Sequence, residues 1–432
     1  MTTYLIFILT LLINFINSSY IKLPFKDSRS ISSLSNDVSK EKIYEYLLES
    51  GITISLKIGT EPQIIPVSLS LQKKYIYITS NSLSFGIYDK DKSNTFSTNG
   101  ESPIPDFNYF KKGIYCKDNF IFESENNIKE GNIQFILTTE MVNENEYRKG
   151  LIGLQITSYN EEHTLINQLK SKKLVNNYYY FIQFTKEDEG FFILGNSPHE
   201  IDSSRYSFSD FRQVHTKDGI WTLNILKIKY GETDFSSKNF FLDFNFGFIS
   251  IGIDLKNEFY NDFFKKRIEN GLCEENVYNE YFIYSCVNDE AKVKFNELKE
   301  FHFYHHELEF DFVFNYKDLF VTFNNRKYFL ITYKINSMSS TFGKPFFKKY
   351  TMIFNPDNKQ IGHYLKEEII SGENEEKSNV KTILFIVIII ILVAIISFLV
   401  YILTKLLKRK KRKNELDENF DYVPENSKIL DD

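Results

Sequence analysis

Ile54-Ser55-Leu56-Lys57-Ile58-Gly59-Thr60-Glu61-Pro62-Gln63 is the stretch from which the fold is read. Apolar and polar residues alternate up to Ile58, the period-2 signature of a strand with one buried face, and Gly59 breaks the run. The same texture continues outward. Ile52 to Ile58, Tyr75 to Thr79, Asn132 to Leu137, Tyr178 to Phe184 and Phe191 to Leu194 read as strands. So do Trp221 to Tyr230, Phe240 to Phe244, Glu309 to Phe314 and Tyr328 to Tyr333, with Gly, Asn, Asp and Ser clusters between them. Only His163 to Leu174 and Glu258 to Glu269 read as helices. Many strands and little helix between about Ile52 and His363 predict a mostly-β body larger than a single sandwich.

A chain of 432 residues exceeds one domain of roughly 100–200 residues. With 42% hydrophobic and 25% charged residues it can bury a core, which excludes wholesale disorder. A net charge of -5 speaks against a nucleic-acid partner, whose phosphates need a basic face.

The two ends suggest a topology. Tyr4 to Ile13 are almost wholly apolar and are followed by Asn17-Ser18-Ser19, the layout of a signal peptide over 1–19. Residues 382–404 carry no charge and, as a helix, would cover roughly 34 Å, enough for a ~30 Å hydrocarbon core. Lys405, Lys408, Arg409, Lys410, Lys411, Arg412 and Lys413 follow at once, a cluster that stays cytoplasmic. The expectation is a single-pass type I membrane protein with its ectodomain extracellular or in the lumen of the secretory or endolysosomal pathway. Residues 20–50, polar and Ser-rich, read as a leader, pro-segment or linker, 366–381 as a linker, and 405–432 as a cytoplasmic tail. In such a compartment Cys273 and Cys286 are expected to form a disulfide worth about 3 kcal/mol, leaving Cys116 as a small buried residue.

The order of local patterns resembles the pepsin-like aspartic peptidases. Ile54 to Gln63 looks like the family's opening "isIGTPpQ", and Lys92-Ser93-Asn94-Thr95-Phe96 like its "kSSTf" turn. Gly150-Leu151-Ile152-Gly153-Leu154 is similar to "GilGLg", followed by a helix-like Leu165 to Leu169, and Gly190 to Gly195 to "GeltfGg". Trp221 with Leu223, Ile225 and Ile228 resembles the "W.v.l..i.v" strand. Thr341 to Tyr350 resembles "iLGd.FLr.yy", and Asn355 to Gly362 resembles "fD.dn.riGfa". The resemblance implies a bilobal pepsin-like acid-protease fold, with an N-terminal β lobe over 51–203 and a C-terminal β lobe over 204–365, plus the C-terminal transmembrane helix. No cofactor or metal is implied.

It also implies two facing aspartates. Carboxylates about 3 Å apart share one proton, so that one activates water while the other protonates the scissile carbonyl. Alignment on Tyr75 to Ser80 puts Ser70 where the first aspartate belongs, and no Asp or Glu lies between Pro62 and Ser80. Asp243 falls on the second position, but Phe244 and Asn245 replace the Thr/Ser and Gly that should follow, and are expected to crowd the contact between the loops. Tyr109 is the candidate flap tyrosine, with Gly113 to Asp118 resembling "GilgkD".

His302, His305 and His306 form an H-x-x-H-H string, read as half-exposed strand residues rather than metal ligands. The sequence thus predicts a pepsin-like homologue that has lost its catalytic pair and binds a peptide or protein between its lobes. The alternatives are a divergent endopeptidase using Asp243 and a structural or adhesive surface protein.

Overall fold

The computed structural model of the chain describes residues 19–366, except 28, 36, 50, 84–86, 104–109, 125–126, 142–149, 157–162, 217–218 and 336–338, together with 396 and 400–409. The stretch 1–18, Tyr109, and most of 366–432 therefore lie outside the described residues. The chain divides into the units Met1–Glu367 and Glu368–Asp432. In the second, residues 400–409 are helical. Among the described residues no helix is long and apolar enough to cross a membrane.

The first unit is mostly β, built around a 13-stranded sheet with a 5-stranded and two 4-stranded sheets beside it. The alternation around Ile54 forms the strand Ile52–Ile58, in which Ile52, Ile54, Leu56 and Ile58 are all buried. Residues 20–50 are folded into this body. Ile21–Asp27 is a strand lying between Glu189–Leu194 and Ile52–Ile58. Lys40–Leu48 is a helix with Ser39 as its N-cap, whose hydroxyl accepts from the Lys42 amide. Its Ile43, Tyr44, Leu47 and Leu48 pack on Phe248, Ile283, Phe323 and Tyr328.

The expected helices are shorter or interrupted. Leu165–Ser171 is helical, and Ile253–Phe259 and Lys265–Glu269 are separated by a π-helical turn over Tyr260–Phe264. That turn places Phe263 and Phe264 together in the core. Trp221 to Tyr230 is split at Leu226 into Thr222–Ile225 and Lys227–Tyr230, which join different sheets. Aromatic pairs fill the interior, with Phe240, Phe342 and Phe346 stacked in succession at 4.2 Å.

One strand pattern occurs twice. In the first half, Gln63–Ser70 runs parallel to Gly150–Gly153, which runs antiparallel to Ile76–Thr79, itself parallel to Asn127–Met141. In the second half, Lys238–Leu242 runs parallel to Ser340–Phe342, which runs antiparallel to Ile249–Ser250, itself parallel to Ile331–Thr332. The two halves are joined by the 13-stranded sheet, in which Tyr180–Phe184 from the first pairs with Ile353–Asn355 from the second.

Cys273 and Cys286 are directly opposed in the hairpin Cys273–Tyr278 and Tyr281–Val287, and they form a disulfide. Cys116 is buried and free, and burial pushes its thiol up to about 11, far from the thiolate a nucleophile needs.

Candidate functional site

The repeated pattern defines which residues correspond between the halves. Ser70 pairs with Gly153 across a parallel ladder, and Asp243, one residue past the Leu242 and Phe342 pair, stands opposite Gly343. Both glycines are there for room. A Cβ on Gly153 would come within 2.4 Å of the Lys73 carbonyl, and one on Gly343 within 2.2 Å of the Phe246 carbonyl. Lys73 and Phe246 are the third residues after Ser70 and Asp243. Ser70 is therefore the positional counterpart of Asp243.

The turns after them are built alike. Ser70 Oγ accepts from the Gln72 amide at 3.2 Å, and Asp243 Oδ1 accepts from the Asn245 amide at 3.0 Å. The middle residues, Leu71 and Phe244, both turn into the core. Phe244 does so against Phe347, with ring centroids 5.7 Å apart.

The third residues, Gln72 and Asn245, reach across to the opposite half. Gln72 Nε2 donates to Asp243 Oδ2 at 2.7 Å, and Asn245 Nδ2 donates to the Leu69 carbonyl at 2.5 Å. The expected crowding is corrected here. Phe244 leaves the contact for the core, and Asn245 turns its bulk into a bond between the loops. The group meeting Asp243 from the amino-terminal half is an amide. Among the described residues no carboxylate bonds to Asp243, and no Lys, Arg or His pairs with it.

Asp243 keeps partial exposure, yet the surrounding protein desolvates its carboxyl. Desolvation pushes it up to about 6, opposed only by the Asn245 amide. Tyr281, whose ring lies 5.4 Å from that of Phe246, is held high mainly by burial, with the Asp243 charge as a lesser contribution.

Each half also ties itself to the other just behind these loops. The Leu154 carbonyl, next to Gly153, accepts from Trp221 Nε1 at 2.8 Å and from the Tyr180 hydroxyl. Lys344, next to Gly343, pairs with Asp27 and, at 3.3 Å, with Asp188. Burial alone would raise the Asp27 carboxyl. Lys344 and the Gly51 and Arg29 amides outweigh it and hold Asp27 below the usual carboxylate range.

The family model for the eukaryotic aspartyl protease matches residues 54–364. The chain belongs to the eukaryotic aspartyl protease family. No curated relative matches it.

The hairpin Phe110–Ser124 and Asn127–Met141, next to the candidate flap tyrosine, is irregular in register between Phe110 and Gly113. Tyr109 itself precedes the described hairpin. Asp118 is buried and serves structure, accepting from Ser93 Oγ and the Asn119 amide and from the Tyr88 and Thr95 hydroxyls.

The three histidines separate. His302 Nδ1 lies 2.7 Å from Asp311 Oδ2. His305 is buried rather than half-exposed, because its ring accepts from the Leu308 amide at 3.2 Å inside the turn. His306 is exposed in that turn.

The cross-half bond of Gln72, the Lys344 pairs and the Trp221 to Leu154 bond were not foreseen from the sequence. The legible signal was an amide two residues after each of Ser70 and Asp243.

Proposed function

We propose that this aspartyl protease family member is a non-peptidase homologue that binds a peptide or protein between its lobes and is held to a membrane through 382–404. The observation that carries the reading is the partner of Asp243. A shared-proton mechanism needs a second acid within about 4 Å, and Gln72 Nε2 stands at 2.7 Å instead. An amide neither accepts nor releases a proton near neutral pH, and Ser70 cannot hold a negative charge there. Water beside Asp243 would have one acidic helper where hydrolysis uses two. The apolar ends of the sequence support a secreted orientation with the protease-like body outside the cytosol.

The test is cleavage of a denatured protein and of a peptide library by the full chain at pH 4 and pH 7. The expected result is no cleavage above that of an Asp243→Asn preparation. Cleavage at acid pH that Asp243→Asn abolishes would overturn the reading in favour of a divergent endopeptidase.

A further inference from the structure

We infer that the nook formed by Ser70, Gln72 and Asp243 receives a cationic group, the guanidinium or ammonium of a basic residue, from a peptide lying between the lobes. This rests on the binding role proposed above and names the chemistry of what is bound.

The argument is a balance of donors and acceptors. An ionised carboxylate offers about four lone-pair positions. Asp243 receives two described donors, Gln72 Nε2 and the Asn245 amide. One Asn245 Nδ2 hydrogen is committed to Leu69, and Ser70 Oγ accepts from the Gln72 amide, so the donors on this side are few: the Ser70 hydroxyl and the second hydrogens of the two side-chain amides. Gln72 is exposed, and its Oε1 accepts no hydrogen bond among the described residues. The unfilled capacity facing a ligand is thus mostly acceptor capacity beside a charge for which the described residues supply no ion-pair partner.

An approaching anion would be repelled, and an apolar group would desolvate the carboxylate without compensation. A cation supplies both the missing charge and the missing N–H donors. Guanidinium fits best, because its planar fork can engage the carboxylate in pairs of bonds. Phe246 and Tyr281 add neighbouring aromatic surface on which such a plane can stack. Lys334 and Glu280, beside Tyr281, pair with each other at 3.1 Å.

The experiment uses the full chain in a neutral detergent. Capped hexapeptides carrying arginine, or the neutral isostere citrulline, at a central position are titrated at pH 7 by fluorescence anisotropy. The arginine peptides are expected to bind at least ~10-fold tighter, in line with charge-assisted hydrogen bonds. Asp243→Asn should erase that preference. Gln72→Lys, a change at an exposed position that places an ammonium beside Asp243, should erase it as well, and this keeps the inference open to refutation if Asp243→Asn fails to fold. Equal binding of arginine and citrulline peptides overturns the inference. So does a preference that survives Asp243→Asn, or one that Gln72→Lys leaves unchanged. Failure of every peptide to bind, charged or neutral, would instead overturn the cleft-binding reading itself.

Discussion

The turn Ser70-Leu71-Gln72 and the turn Asp243-Phe244-Asn245 sit at matching places in two copies of one strand pattern. Each carries a side-chain oxygen, a core-filling apolar residue and an amide, in that order. What differs is one ionisable group. The two turns therefore keep one geometry although only one of them carries an ionisable group. The oxygen of Ser70 performs the same local turn-closing task as Asp243 Oδ1, accepting from the amide two residues on. A turn of this kind needs only an acceptor, which a hydroxyl or a carboxylate supplies equally.

The ties behind the two turns differ in the same way, one neutral and one ionic, and this gives the sharpest contrast to break. Lys344→Met removes the cation beside the buried Asp27 and is expected to cost about 3–5 kcal/mol in denaturant unfolding. Trp221→Phe removes the neutral bond to Leu154 and some packing, and should cost about 2 kcal/mol. Equal losses would mean that the ionic tie is solvated and that the contrast is false.

The two cross-lobe amides come next. Asn245→Ala leaves the Leu69 carbonyl without its side-chain donor and should cost about 1.5 kcal/mol. Gln72→Ala frees a partly exposed carboxylate that water can serve, and is expected to cost roughly a third of that by the same measurement. A reversed order would show that Gln72, rather than Asn245, holds the loops together.

The smallest effect separates the turns by pH. The folded-state value of Asp243, about 6, lies above the ordinary carboxylate value of 3.8, so the folded state binds the proton more tightly. The destabilisation is absent below the unfolded value, grows as pH rises from 3.8 to about 6, and is full above that. Discounted for partial exposure, Asp243→Asn should raise stability by about 1 kcal/mol at pH 7.5 and leave it unchanged at pH 3.5. Ser70→Ala has no titration to remove, and its stability change should be the same at both pH values. A pH-independent gain for Asp243→Asn would contradict the desolvated carboxylate.

Much of the fold was legible in particular strings. The alternation in Ile52–Ile58 places every second side chain in the core, and the Gly-flanked Gly150–Gly153 became the strand threaded between Gln63–Ser70 and Ile76–Thr79. Residues 20–50 were less legible. Ile21–Asp27 has the same alternation, but a polar Ser-rich stretch follows it, and only its neighbours in the sheet make it a core strand. His305 was misjudged for a similar reason, since strand alternation says nothing of a turn that folds back to bond the ring.

By itself the sequence determined that the body would be built mostly of short strands, which cysteines pair, and that no acid lies between Pro62 and Ser80, since these depend on residue identity and local period alone. Only the tertiary structure decided that Gln72 meets Asp243, that Asn245 bridges rather than crowds, and that Lys344 neutralises Asp27. Those contacts join residues far apart in the chain, and no local pattern encodes a distance that depends on how two folded halves come together.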